Sequence, residues 1–409
     1  MIKRTFKATK IACYAGYFVQ AIINNLAPLL FVIFSNQFNI DIGTIGSLIL
    51  INFATQMTVD AVSVKLIDKV GYKKITVSAH LLAFIGLFML GVLPHFTAHP
   101  FFMIAVSLII SAIGSGLIEV TISPIVESIP SERKEADMSL LHSFYCWGQM
   151  TVVALSTIFI KLAGDNYWFV LPIVWSIIPL VNLFNLLTVP FMPPIKEEHI
   201  TPVKVLLKSK TFIVAMVLMF CAGASELAMS QWSSFFAEEG LRVSKFTGDL
   251  LGPCLFAVLM GFGRLFYGIK GEKINLIRIM SVLSVLCIAC YLTAAVSKVP
   301  IISLIACAVT GLSISLFWPG TFSLAAKAFP NGSGGVFGIL ALLGDLGCGS
   351  GPWVVSLISV WAKSSNPLLS DGDALKFGLG FGCIFPIILL INLFLLGKFL
   401  KKDIDTRKN

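Results

Sequence analysis

Twelve apolar runs, each of 20 residues or more, dominate this chain. They lie near 11–35, 44–66, 75–94, 101–128, 138–162, 167–190, 211–236, 247–268, 275–297, 301–327, 334–361 and 376–399. About 20 apolar residues carry an α-helix across the hydrocarbon core of a bilayer. The strands of a membrane barrel would alternate apolar and polar residues in short segments. These runs do not alternate, so they predict helices. The expected fold class is an all-α membrane protein with twelve transmembrane helices. Composition closes off the soluble alternative. Hydrophobic residues make up 57% of the chain and charged residues 12%, against about 25% charged in soluble domains.

The formal net charge is +9. With both termini and the even-to-odd loops on one side, all but six of the 30 Lys and Arg residues fall there. The six are Lys161, Arg242, Lys245, Lys298, Lys363 and Lys376. Arg264, Lys270 and Lys273 count with the majority. Basic loops face the cytoplasm, so both termini are expected to be cytoplasmic. A nucleic-acid surface would gather charge into one patch. Here it is divided among short loops, and no nucleic-acid partner is expected. The start MIKRTFKATK has the form of a signal peptide. The run behind it is too long for one and lacks an A-x-A-like site, so it reads as a retained first span. All nine cysteines fall in predicted spans and imply no disulfide framework. Cys287 and Cys290 form C-x-x-C within an apolar span and read as small packing residues.

The most polar long connection, MPPIKEEHITPVKVLLKSK, occupies 192–210. It separates residues 1–191 from 211–409, six spans each, and is expected to be a cytoplasmic linker. The halves echo one another. GLIEVTISP at 116–124 ends the fourth span, and GLSISLFWP at 311–319 lies late in the tenth. Both have Gly-Leu and a Pro eight residues after the Gly, and Ile314 stands where the first copy has Glu119. Between spans two and three, VKLIDKVGYKK (64–74) places Asp68, Lys69, Gly71 and Lys73 on the pattern G-x-x-x-D-R-x-G-R-R/K. Val64 replaces its first Gly and Tyr72 a basic residue. Gly71 suits a tight turn, and Asp68 could pair with cations or cap the next helix. A generic basic loop would read the same way. The second copy, GRLFYGIKGEK (263–273), keeps mainly Gly263 and Arg264. These features resemble the major facilitator transporters, built as two six-helix bundles with the solute site near the bilayer midplane.

Three stretches resemble one branch, the fucose–galactose–glucose/proton symporter family. AIINNLAPLLFVIFSNQFNI (21–40) is similar to its first span, GLIEVTISPIVESIP (116–130) to its fourth, and SLLHSFYCWGQ (139–149) to the start of its fifth. The likeness covers the first five spans and only the outline of the second half. It implies that Glu119 takes part in proton-coupled sugar recognition. The family's other key acid falls on Pro28 and is missing. His142 stands where the family has Gln.

Four acids lie inside predicted spans: Asp60, Glu119, Glu226 and Asp345. A charge at a helix centre costs about 2.5–3.5 kcal/mol on insertion scales. A carboxyl group avoids much of that cost by taking up a proton, which is the property a proton carrier needs. Glu119, central in its span behind Gly114 and Gly116, is the leading proton site; the alternative is a structural carboxyl bonded to a neighbouring helix. Glu226 reads as a second proton site or a hydroxyl-binding carboxylate. Asp60, placed near the cytoplasmic end of span two, is either a substitute for the missing acid or a partner of Lys65 or a helix end. Asp345 sits among glycines that admit water or another helix. Asn24 and Asn25 point about 100° apart on a helix, so only one faces a cavity well. Either could bind sugar hydroxyls or join helices, and Gln20 extends the Asn24 face by one turn. His142 could bind solute, carry protons or only pack. Trp147, Trp232 and Trp318 could stack on sugar rings, anchor at the interface or pack.

Other signals lead elsewhere. GCGSG (347–351) resembles a phosphate loop but follows no predicted strand and lacks Lys-Ser/Thr. His95 and His99 have metal spacing but stand alone in a short loop, so no metal is expected. An intramembrane aspartyl protease would need Tyr-Asp and Gly-x-Gly-Asp around its acids, so no enzyme is expected. The expected function is proton-coupled uptake of a small hydroxylated solute such as a monosaccharide. Proton-coupled drug or metabolite efflux is the alternative, and the 33 Phe residues would suit apolar cations. The expected partners are the solute, protons and the lipid bilayer. The proton gradient replaces any cofactor, and the protein is expected to be monomeric in a bacterial cytoplasmic membrane.

Overall fold

The computed structural model describes residues 5–40, 42–192, 201–237, 242–243, 247–248, 250–271, 274–297, 299–330 and 333–408. Residues 193–200 of the expected linker lie outside these residues, as do the side chains of Lys65 and Asp68. Every regular element among the described residues is helical. The first half contains α1 (Phe6–Phe38), α2 (Ile42–Val70), α3 (Tyr72–Val92), α4 (Pro100–Ser128), α5 (Lys134–Ala163) and α6 (Val170–Thr188). The second contains α7 (Lys210–Phe235), α8 (Leu255–Lys270), α9 (Leu276–Val296), α10 (Pro300–Ile314), α11 (Phe317–Ala328), α12 (Ser333–Ser365), α13 (Asp371–Gly382) and α14 (Ile384–Lys408). Among the described residues, ten segments are long and apolar enough to cross a membrane. Helices α1 and α2, 33 and 29 residues long, complete twelve spans among the described residues. The tenth span is α10 with α11, and the twelfth is α13 with α14.

Local chemistry sets the ends. Pro100 and Pro300 open α4 and α10, where a missing N–H costs no helical bond. Ser209, Asn275 and Ser370 cap α7, α9 and α13 by accepting backbone N–H bonds from Phe212, Arg278 and Asp373. Gly71 separates α2 from α3 at φ 90°, a conformation that favours glycine. The two echo motifs fold differently. Helix α4 runs unbroken through Pro124, whereas the tenth span breaks at Ser315 and Leu316, ahead of Pro319.

The chain divides into two compact units. Unit 1 comprises Met1–Ser131, Phe144–Ile200 and Ser333–Gly338; unit 2 comprises Glu132–Ser143, Thr201–Gly332 and Ile339–Asn409. Helix α5 therefore contributes its first turns to unit 2 and the rest to unit 1. In unit 1, Trp168 is fully buried, packs edge-on to Phe34 and donates from Nε1 to Gln37 Oε1 at 2.6 Å. His95 stacks on that indole at 5.2 Å, so its surroundings are aromatic. At the other end, Asn182 Nδ2 donates to Ala12 O at 2.9 Å and lies 2.9 Å from His80 Nε2.

A seam of glycines organises unit 2. A Cβ at Gly347 would fall 2.0 Å from Phe220 O, one at Gly351 2.5 Å from Ala224 O, and one at Gly223 2.2 Å from Gly344 O. Helices α7 and α12 thus touch backbone to backbone, as small residues allow in membranes. The GCGSG run lies inside α12 and serves this packing.

Candidate functional site

Unit 1 holds a polar ladder between apolar helices. Gln20 and Asn24 are one turn apart on α1, as are Ser115 and Glu119 on α4. Gln20 Nε2 donates to Glu119 Oε2 at 2.6 Å. The single O–H of Ser115 lies within reach of two acceptors, Asn24 Oδ1 at 3.3 Å and Gln56 Oε1 at 3.2 Å, and Gln56 Nε2 donates to Asn24 Oδ1 at 3.3 Å. One turn the other way, Tyr17 Oη lies 2.7 Å from Ser123 Oγ. The three rungs Tyr17·Ser123, Gln20·Glu119 and Asn24·Ser115 set the α1–α4 register. Glu119 is only 4% exposed.

Gln56 and Ser115 complete this network, although neither stands out in the sequence. The available signal is periodicity: Gln56 precedes Asp60 by one turn on α2, and Ser115 precedes Glu119 by one turn on α4. Helix α2 comes within a side chain of α4, where a Cβ on Gly116 would meet Val59 at 3.1 Å. Only one asparagine of the pair joins the network. Asn25 turns back and donates to Ala21 O of its own helix at 2.9 Å. Asp60 is fully buried. It lies four positions past the middle of α2 and not near its end, because α2 continues to Val70.

Unit 2 holds a second network centred on Arg264. Charge pattern assigns Arg264 to the cytoplasmic face; the structure buries it to 2% exposure. Its Nη2 lies 3.5 Å from Glu226 Oε2, its Nε donates to Ser315 O at 2.9 Å, and its Nη1 donates to His142 O at 3.1 Å. Ser139 Oγ donates to Arg264 O at 2.7 Å. The role of Ser315 follows from the break in the tenth span. In a continuous helix its carbonyl would accept from residue 319, but Pro319 has no N–H. The freed carbonyl takes a guanidinium donor. Arg264 thus joins α7, α8, the α10–α11 break and the start of α5. A lone Arg in LFAVLMGFGRLFYGIK is the sequence signal for it, since an intramembrane charge marks function by default.

The other candidates scatter. His142 is 3% exposed; its ring lies 5.8 Å from that of Phe322, and Phe322 lies 6.4 Å from Trp318. Trp318 covers Gly344, where a Cβ would fall 2.3 Å from the indole, and the neighbouring Asp345 is buried. Trp232 Nε1 donates to Pro352 O at 3.1 Å. Trp147 is half-buried on the unit 1 part of α5. In the loop motif, Lys69 is exposed, and Lys73 Nζ donates to Val189 O at 3.4 Å and lies over the Phe191 ring. The Asp68 side chain is outside the described residues.

Twelve spanning helices with buried carboxylates, amides and a guanidinium define a polytopic membrane protein with polar machinery at membrane depth. The chain belongs to the Major Facilitator Superfamily, whose sequence profile matches residues 13–352. No curated protein matches it by sequence. Solved structures share its fold at low identity. The E. coli fucose:proton symporter FucP is 15% identical with a TM-score of 0.78, over 96% of this chain and 99% of that one. The proton:xylose symporter XylE is 14% identical with a TM-score of 0.81, over 96% and 95%. The human organic anion transporter MFSD10 is 12% identical with a TM-score of 0.73, over 95% and 99%.

Proposed function

We propose that this chain is a proton-coupled transporter that takes up a small hydroxylated solute, a monosaccharide in the first instance, by alternating access. One observation carries the reading: the buried carboxyl of Glu119 is bonded to Gln20, one turn from the cluster of Asn24, Gln56 and Ser115. Amides and hydroxyls both donate and accept, the chemistry that reads sugar hydroxyls. A carboxyl at the same depth can bind a proton in one access state and release it in the other. The fold shared with FucP and XylE, both named as sugar:proton symporters, supports the same choice. On this reading Glu119 is the principal proton site and Glu226 a second. Asp60 and Asp345 are further candidates, and His142, Trp147, Trp232 and Trp318 are candidate solute contacts. Asp68, Lys69, Gly71 and Lys73 form a cytoplasmic gating element. The protein works as a monomer in a bacterial cytoplasmic membrane with both termini inside, driven by the proton gradient without a cofactor.

The test is uptake into proteoliposomes with an imposed proton gradient across a panel of labelled monosaccharides. One sugar should accumulate and carry protons inward. Glu119→Gln should lose accumulation and keep counterflow. If no sugar accumulates in response to the gradient, the reading fails. A second reading, efflux of an organic solute in exchange for protons, draws on the fold shared with the organic anion transporter. It predicts that gene deletion sensitises cells to dyes and drugs.

A further inference from the structure

The rung between α1 and α4 points to a device in Gln20. We propose that Gln20 reports the protonation of Glu119 by turning its side-chain amide over. Gln20 is then a positioning residue, which changes its hydrogen-bonding face when Glu119 gains a proton. The inference rests on the reading that Glu119 exchanges a proton.

The chemistry follows from donor and acceptor counts. A carboxylate only accepts; a carboxylic acid has one O–H to donate. Gln20 presents its NH2 group to Glu119 Oε2 at 2.6 Å, the arrangement an ionised carboxylate requires. Its Oε1 is buried and has no hydrogen-bond partner among the described residues. Suppose a proton from the aqueous side binds Glu119 Oε2. The new O–H then faces an N–H, and two donors oppose each other. The same amide carries an acceptor, Oε1. A half-turn about the terminal torsion brings Oε1 opposite the O–H and carries Nε2 to the place Oε1 held. Such sp³–sp² torsions are broad and roughly two-fold, so both orientations fit one side-chain path. No bond changes except the O–H formed. The edge of Gln20 turned away from Glu119 changes from acceptor to donor.

The neighbours leave this task to Gln20. Asn24, one turn on, already accepts from Ser115 and Gln56. Among the described residues, the elements packed on α4 carry Tyr17, His80, Asp60 and, on the short turn Leu93–Phe96, His95, which stacks on Trp168. Tyr17 on α1 is engaged with Ser123. His80 on α3 lies 2.8 Å from Thr76 O and 2.9 Å from Asn182. Asp60 on α2 is the second carboxyl. It lies one turn beyond Gln56 as Glu119 lies one turn beyond Ser115, which places both acids at one level.

The experiment is infrared difference spectroscopy between acid and neutral pH on the purified protein in lipid, in an Asp60→Asn background, with no ligand. The wild-type Gln20 protein should show a protonated-carboxyl band that Glu119→Gln removes. A glutamine side-chain amide signal should accompany it, identified by its shift on isotopic labelling of glutamine, and should vanish in Glu119→Gln. Gln20→Met should abolish the amide signal and move the carboxyl band to higher wavenumber, toward a free acid. The labelled protein with Gln20 intact decides the matter even if Gln20→Met misfolds. A Glu119 band that titrates with no accompanying glutamine signal overturns the inference and leaves the proton-exchange reading standing. If Glu119→Gln removes no band, that parent reading falls and this inference with it.

Discussion

Replacing Arg264 by Met keeps a long, flexible side chain and deletes every donor. Two carbonyls, Ser315 O and His142 O, lose a partner, and Glu226 loses its counter-ion. Hydrogen bonds within membrane proteins average about 0.6 kcal/mol, so the two carbonyls account for about 1 kcal/mol. Breaking a buried ion pair costs roughly 3–5 kcal/mol, because the remaining charge is uncompensated. The pair is long at 3.5 Å, and the Glu226 side chain is 14% exposed, so the lower end applies. The expected destabilisation is about 4 kcal/mol in all. Adding Glu226→Gln removes the stranded charge and should recover roughly 2–3 kcal/mol of it. The assay is equilibrium unfolding in mixed micelles of wild type, both single variants and the double variant. The reasoning is refuted if Arg264→Met is as stable as wild type, or if the two substitutions simply add.

Three further outcomes follow from close contacts. In α12, Gly347→Ala forces a Cβ to 2.0 Å from Phe220 O, whereas at Gly349 nothing lies within 4 Å. The first should cost about 1–3 kcal/mol by overpacking and the second should be neutral or gain about 0.5–1 kcal/mol in helix propensity; equal thermal midpoints would contradict the seam. Asn182→Leu strands His80 Nε2 and removes the second donor of Ala12 O and should cost about 2 kcal/mol, read as a lower unfolding midpoint; no loss would show that the amide bridges nothing. Pro319→Ala supplies an N–H at the position that pairs with Ser315 O in a continuous helix. In that background Arg264→Met should cost about 0.6 kcal/mol less, and an unchanged penalty would sink the explanation of the break.

The sequence by itself determined the fold class, the number of spans and the presence of acids at membrane depth. Those conclusions rest on local facts: run length, composition, and the cost of a charge in hydrocarbon. It also marked Gln20 and Asn24, because helical periodicity places residues four apart on one face, and Glu119 as a carboxyl inside an apolar span. It was silent on which residue of α2 meets them, since Gln56 joins Asn24 and Ser115 only through the packing of α1, α2 and α4. It counted Arg264 with the cytoplasmic charges because counting charges takes no account of depth. Tertiary structure decided the rest. It aligned α1 and α4 so that Gln20 meets Glu119, turned Asn25 back onto Ala21, and brought α7, α8, the α10–α11 break and the start of α5 around one guanidinium. All of these but the Asn25 turn join residues far apart in the chain. Periodicity fixes a face but not its partner; the partner is set by which helices pack and in what register.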